Sequence, residues 1–189
     1  MASTYLIGLA GNPNTGKSTI FNALTGLKQH TGNWPGKTVL LARGRFRYLG
    51  RTFELVDLPG TYSLLASSPE EEIARDFICL SQPAALVLVV DATRLERNLN
   101  LVLQVTAITS HIVVCLNLMD QARRLNLRLD CELLEQELGL PVIPTTATTG
   151  QGLPLLKDAV WRVAAGILKP RPKPLPLDPF PEKGVKALP

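Results

Sequence analysis

Apolar residues fall along this chain in short unbroken runs separated by polar, turn-rich stretches. Tyr5 to Ala10, Leu86 to Val90 and Ile112 to Leu116 carry almost no polar residue. Runs that short predict strands buried on both faces. Between them the spacing turns helical. Lys17 to Leu24, the stretch opened by Pro69-Glu70-Glu71-Glu72, Leu99 to Thr109, Cys131 to Leu138 and Leu153 to Leu168 are the predicted helices. The three glutamates would sit in a first turn, where the helix dipole favours acids. Gly139 ends the fourth helix, and Pro141 to Ile143 reads as a short strand. Thr38 to Tyr48 and Thr52 to Val56 read as a hairpin turning at Leu49-Gly50-Arg51. Gly26 to Lys37, rich in Gly, Asn and Pro, reads as an exposed, mobile loop. Strands alternating with helices predict an α/β fold with helices on both faces of the sheet. The expected sheet is mostly parallel and six-stranded, with one antiparallel edge strand. No internal repeat is visible. After Leu168 the pattern stops: seven of the last 21 residues are proline. Residues 1–168 are thus expected to form one domain and 169–189 a Pro-rich linker.

Composition narrows the classes. With 189 residues, 46% of them apolar, the chain suits one domain with a sizeable core. Aromatics are few, so that core is expected to be Leu, Val, Ile and Ala. No apolar run reaches the roughly 18 residues of a membrane span. Met1 to Tyr5 lacks the basic and apolar regions of a signal peptide. Cys79, Cys115 and Cys131 have no metal-ligand spacing and are expected reduced, in or near the core. The net charge of +4 has its sharpest feature in Arg43, Arg45 and Arg47, which alternate and share one strand face. Such a face suits an anionic partner, RNA or a lipid surface; a solvated face is the plainer reading.

The chemistry lies where runs end. Gly11-Asn12-Pro13-Asn14-Thr15-Gly16-Lys17-Ser18 matches G-x-x-x-x-G-K-[ST] between a predicted strand and a predicted helix. In that setting the backbone N–H groups curl around a β-phosphate at the positive end of the helix. Lys17 reaches the β and γ phosphates and the Ser18 hydroxyl takes magnesium, with Thr19 beside it. Asp57-Leu58-Pro59-Gly60 ends the strand Phe53 to Val56. Asp57 is positioned to hold the magnesium shell, through water, and the Gly60 N–H to sense the γ-phosphate. Thr38, after Gly36 and Lys37, is the candidate second magnesium ligand. Lys17, Asn14, Thr38 and Gly60 are the candidates for hydrolysis.

At the base end, Asn117-Leu118-Met119-Asp120 follows the strand Ile112 to Leu116. The Asp120 carboxylate accepts from guanine N1–H and N2–H, a pairing adenine cannot offer. Asn117 would tie this loop to the phosphate loop and to guanine N7. Leu118 stands where many GTPases carry lysine. Thr146-Ala147-Thr148 would give a backbone N–H to guanine O6. The series spells a P-loop GTPase of Ras-like fold, with magnesium as cofactor.

The chain resembles the N-terminal cytoplasmic G domain of the ferrous iron transport protein B family (FeoB) over about Tyr5 to Leu168. Gln29 to Val39, with its Asn33-Trp34-Pro35-Gly36-Lys37-Thr38 segment, looks like that family's first switch. Asp57 to Leu64 looks like its second. Glu70-Glu71 through Ala74-Arg75-Asp76, Val90-Asp91-Ala92-Thr93 and Leu95-Glu96-Arg97-Asn98-Leu99 match as well. The resemblance implies a regulatory domain at the cytoplasmic face of the inner membrane, controlling iron passage through a transmembrane portion of the same polypeptide. Leu177 to Leu188 would be the opening residues of a following helical domain. The resemblance also implies a potassium ion beside the phosphates, held by Asn14 and by carbonyls around Gly32 to Trp34. Thr61 stands where many GTPases place a water-orienting glutamine and is too short for that work, so slow, potassium-stimulated turnover is expected. The rival is an RNA- or ribosome-associated GTPase of the Era or TrmE type. It lacks the Asn-Trp-Pro-Gly-x-Thr switch, so no nucleic-acid partner is expected.

Overall fold

Among the described residues seven strands form one sheet in the order β2-β3-β4-β1-β5-β6-β7. They are β1 (Thr4–Gly11), β2 (Gln29–Asn33), β3 (Leu40–Tyr48), β4 (Arg51–Asp57), β5 (Ala85–Asp91), β6 (Ile112–Asn117) and β7 (Val142–Pro144). The structure is a computed structural model that describes residues 4–27, 29–33, 39–65 and 68–173. From β4 through β7 all neighbours run parallel; β3 is antiparallel to both β4 and β2. The expected six strands therefore become seven. The extra one, β2, lies inside the segment read as a mobile loop. Its Gln-His-Thr-Gly-Asn sequence has no apolar alternation, and its strand conformation comes from pairing, with His30 opposite Arg43 and Thr31 opposite Ala42. Tertiary pairing overrode a weak local preference.

Among the described residues six α-helices cover the sheet: α1 (Lys17–Thr25), α2 (Pro69–Ser81), α3 (Leu95–Thr106), α4 (Met119–Arg124), α5 (Cys131–Leu138) and α6 (Leu153–Ala164). Local signals explain most ends. The Ser68 side chain accepts from Glu71 N at 3.3 Å, with Pro69 in the first turn of α2. Asp130 caps α5 by accepting from Leu133 N at 2.9 Å. Gly139 ends α5 at φ 66°, with the Arg171 carbonyl packed where a β-carbon would stand. Arg171 and Lys173 donate to the Gly139 and Leu138 carbonyls, each at 3.0 Å, so the chain after α6 crosses the end of α5. Two helix expectations need correction, and one short helix is additional. The helix predicted from Leu99 begins four residues earlier, after a 3-10 turn at Ala92–Arg94. α6 stops at Ala164 because the chain turns left-handed at Gly166 (φ 70°). α4 was not anticipated, since six residues carry no readable period.

β5 and β6 are buried along their whole length, as strands covered on both faces must be. One core layer packs α2, α3 and α5 on the sheet through Phe77, Leu101, Val105 and Leu138. The other packs α1 and α6 through Ile20, Phe21, Leu156 and Val160. Phe53 of β4 is fully buried in the second, its ring stacked at 5.4 Å on Tyr5 and at 4.9 Å on Phe46. Of the cysteines, Cys115 is buried and Cys131 half-buried, but Cys79 is exposed on α2. It falls outside the face that buries Ala74, Phe77 and Ile78, which corrects the expectation that it sits in or near the core. Among the described residues no helix is long and apolar enough to cross a membrane.

The register brings the functional strand ends together. Leu9 pairs with Asp57, Gly11 with Val89, and Asp91 with Asn117. The loops leaving β1, β4, β5 and β6 thus share the carboxyl edge of the sheet, where open α/β sheets bind their ligands.

Candidate nucleotide site

Gly11 closes β1 and Lys17 opens α1, with the phosphate loop between them. The loop is tight: Asn14 (φ 65°) and Gly16 (φ 82°) are both left-handed, and the Thr15 hydroxyl donates to the Asn12 carbonyl at 3.0 Å. At Gly16 a side chain is also impossible for lack of room, because the Asn117 amide nitrogen occupies the place of a β-carbon. Gly16 caps α1 with no side-chain hydrogen bond. The N–H groups of the first turn, which holds Lys17, Ser18 and Thr19, have no acceptor among the described residues and point where an anion can meet them.

Asp57 ends β4 and forms an ion pair with Lys17. Burial pushes its carboxyl above the usual range, more than the Lys17 ammonium pulls it down. The next residues are pinned to β1: Leu58 N donates to Leu9 O at 2.9 Å and Thr61 N to Gly11 O at 3.2 Å. Leu58 is buried, and Pro59 and Gly60 are half-buried. Gly60 lies against the phosphate loop, where a β-carbon would stand 3.4 Å from Pro13 Cα. Thr61 is 4% exposed, and its hydroxyl donates to Ser63 O at 2.7 Å. It shapes the turn into Ser63, whose backbone N–H donates back to the Thr61 hydroxyl at 3.3 Å. Ser18 and Asp57 offer hydroxyl and carboxylate oxygens, the donor type magnesium takes.

Asn117 joins the two halves of the site. Its Nδ2 donates to Thr15 O at 3.0 Å, and its Oδ1 accepts from Ala147 N and Thr145 Oγ1, both at 3.2 Å. This fully buried amide therefore spans the phosphate loop, the end of β6 and the loop after β7. Leu118 takes a left-handed conformation (φ 64°) as the cap of α4, which turns Met119 and Asp120 into the first helical turn. Backbone in that region on a non-glycine residue stores about 1–3 kcal/mol and concentrates at functional sites. Asp120, Thr19, Leu118, Thr146, Ala147 and Thr148 surround a cavity of about 50 Å³. Thr146 N goes to Gln151 O at 3.0 Å and Ala147 N to Asn117, so within that triplet Thr148 keeps a backbone N–H with no protein acceptor among the described residues.

The structure brings together the predicted groups from Gly11 to Thr19, Asp57 to Gly60, Asn117 to Asp120 and Thr146 to Thr148. Gly36, Lys37 and Thr38, with Trp34, lie outside the described residues, while Gly32 and Asn33 stand in β2. Asn14 and Asn12 border a cleft of about 340 Å³ between the phosphate loop, Tyr62 and the start of α3. Asn12 is 3% exposed, and its amide has no partner among the described residues. Sequence reasoning missed Thr145, whose hydroxyl orients Asn117 and lies 3.2 Å from Cys115 Sγ. Its one signal was its place directly before the Thr146-Ala147-Thr148 triplet.

The family model for ferrous iron transport protein B matches residues 5–160. The Fe(2+) transporter FeoB of Shigella flexneri is 45% identical over 163 residues, covering 84% of this chain and 21% of that protein. The G domain of the T. maritima FeoB iron transporter matches with a TM-score of 0.79 at 40% identity, over 86% of this chain and 99% of that one. The cytosolic domain of the same transporter in a GDP form gives 0.85 at 38% identity, over 90% and 67%. The chain spans about a fifth (21%) of the length of the curated relatives it matches.

Proposed function

The chain belongs to the ferrous iron transport protein B family, and we propose that it is the guanine-nucleotide switch of a ferrous iron transporter. It has the fold of that family's G domains, and GTP hydrolysis is the activity that goes with it. In this reading residues 1–168 are the switch, 169–189 lead away from it as a Pro-rich linker, and the partner is a transmembrane permease portion at the cytoplasmic face of the inner membrane. Membership of this family disfavours the Era or TrmE alternative.

The observation that carries the reading is the Asn117 amide. One side chain ties the phosphate loop to the loops that would hold a base. Asp120 then reads guanine N1–H and N2–H, the second hydrogen of Asn117 Nδ2 reaches N7, and a backbone N–H of the Thr146–Thr148 segment reaches O6. Lys17 leaves Asp57 for the β and γ phosphates. Ser18, Thr38 and Asp57 would hold the magnesium ion, which would neutralise charge on the phosphates when bound. Gly60 offers its N–H to the γ-phosphate. Because Thr61 spends its hydroxyl on Ser63, turnover is slow, and charge developing on the phosphates is offset from elsewhere. Asn14, a neutral oxygen donor in the phosphate loop, is the residue proposed to hold a potassium ion there.

A competition titration tests the assignment. GTP and GDP should displace bound GDP while ATP does not. Asp120→Asn should weaken guanine nucleotides by roughly ten- to a hundredfold, the worth of one charged hydrogen bond, and improve xanthine nucleotides. Equal affinity for ATP and GTP would sink the guanine reading.

A further inference from the structure

Leu95-Glu96-Arg97-Asn98-Leu99 matches the family pattern, and Arg97 borders the cleft beside the phosphate loop with no role assigned to it above. The structure gives it a contact. Its guanidinium lies 4.4 Å from the centroid of the Tyr62 ring, directly beyond Asp57-Leu58-Pro59-Gly60-Thr61. Two turns further along α3, Gln104 Oε1 accepts from Leu64 N at 2.7 Å and from Ser63 Oγ at 3.1 Å. Upstream, the same loop is pinned to β1 through Leu58 N and Thr61 N. The loop thus has two anchors: β1 before the turn and α3 after it.

We propose that Arg97 and Gln104 are positioning residues for GTP hydrolysis, a clamp on α3 that keeps the loop after β4 in its working arrangement. Arg97 borders the cleft beside the phosphate loop, but the contacts of the pair are with Tyr62, Ser63 and Leu64, and each acts through them. The consequence falls on Gly60. Its N–H meets the γ-phosphate only while the segment stays folded against Pro13, and the segment has no apolar anchor of its own at Tyr62, which is 45% exposed. Leu64 is buried, but its backbone N–H depends on Gln104. Nucleotide affinity rests on Lys17, Asp120 and the phosphate loop, whereas the clamp's contacts are with Tyr62, Ser63 and Leu64. The clamp therefore governs turnover and not binding.

The inference rests on the GTPase reading, and the test separates the two. GDP affinity is measured first, then single-turnover GTP hydrolysis, for Arg97→Gln, Gln104→Leu, Arg97→Lys and Gln104→Glu. A cation–π contact or a pair of neutral hydrogen bonds shifts a local equilibrium by a factor of roughly ten. Arg97→Gln and Gln104→Leu should each lower kcat about that much, with GDP affinity and KM unchanged. Arg97→Lys keeps a cation over the ring, and Gln104→Glu keeps an acceptor for Ser63 and Leu64; both should retain most of the rate. Amide exchange at Leu64 should speed up in Gln104→Leu and stay slow in Gln104→Glu. Failure of the unaltered chain to bind GDP overturns the GTPase reading. GDP binding with wild-type turnover in Arg97→Gln and Gln104→Leu overturns the clamp. So does a loss of rate matched by an equal loss of GDP affinity, which marks general damage to the fold.

Discussion

Asn117 and Asn14 show how much a single side chain decides here. Asn117 is legible as part of N-x-x-D, but which of its two amide ends faces the phosphate loop is not. Only the structure shows Nδ2 turned to Thr15 O, because Ala147 N–H and the Thr145 hydroxyl claim Oδ1. Asn14 carries the potassium proposal. Turnover should be faster in potassium than in sodium at equal ionic strength, by a factor on the order of ten, or about 1.4 kcal/mol off the barrier. Asn14→Ala should erase that difference. Equal rates in the two salts for the unaltered chain would remove potassium from the mechanism. Cys115 gives a second residue-scale test. Burial pushes its thiol up to about 12, more than the neighbouring Thr145 hydroxyl lowers it. The thiolate is the reactive form, so at neutral to mildly alkaline pH this sulfur stays protonated and inert. A maleimide should label exposed Cys79 first and half-buried Cys131 more slowly, since burial and Asp130 raise the latter's thiol. Cys115 should react only on unfolding. Labelling of Cys115 at the rate of Cys79 in the folded protein would contradict its place beneath the base loop.

Among the elements, β4 is the one whose core side chain can be tested most directly. Phe53 is wholly buried between the Tyr5 and Phe46 rings. Phe53→Ala removes that ring from a close-packed layer and should cost about 3–5 kcal/mol. In a domain of this size the midpoint of thermal unfolding should fall by roughly 10 °C. A shift of a degree or two would mean the layer closes over the gap. The elements built on apolar runs were legible for the same reason they are stable: β5 and β6 are buried along their whole length, and β1 is buried from Ile7 onward. The hairpin turn at Leu49-Gly50 was legible from its residues, and both take positive φ. What stayed hidden depends on partners far along the chain. β2 exists through its ladder to β3, α4 is too short to show a period, and Gln104 meets Ser63 across 41 positions of sequence. The motif residues were legible because phosphate and guanine chemistry demands fixed residue types at fixed spacing. Thr145 orients Asn117 without belonging to a motif, and Gln104 likewise lies outside every motif, so no spacing announces either.

At the scale of the whole molecule, a net charge of +4 and the row Arg43, Arg45, Arg47 raise the question of an anionic partner. The sheet weakens that case. The three arginines do share a face of β3, opposite the side on which Phe46 is buried. But Arg45 is in register with Glu54, and the Arg43 guanidinium pairs with the same carboxylate at 3.3 Å. Arg43 is half-buried, which leaves Arg45 and Arg47 as the exposed members of the row. Two exposed cations beside an acid neutralise few phosphates, and each neutralised phosphate contributes about one unit to the slope of log affinity against log salt. Fluorescence anisotropy with a labelled structured RNA should therefore show no tight complex at about 0.15 M salt, and a shallow salt slope below it. Arg45→Glu with Arg47→Glu should change nothing at the higher salt. A tight complex with a steep slope, lost in that double variant, would make this face a nucleic-acid surface and turn the balance toward an Era-like role. Without one, the positive charge belongs to the solvated surface, as the pairing of Arg43 with Glu54 already suggests for the innermost arginine of the row.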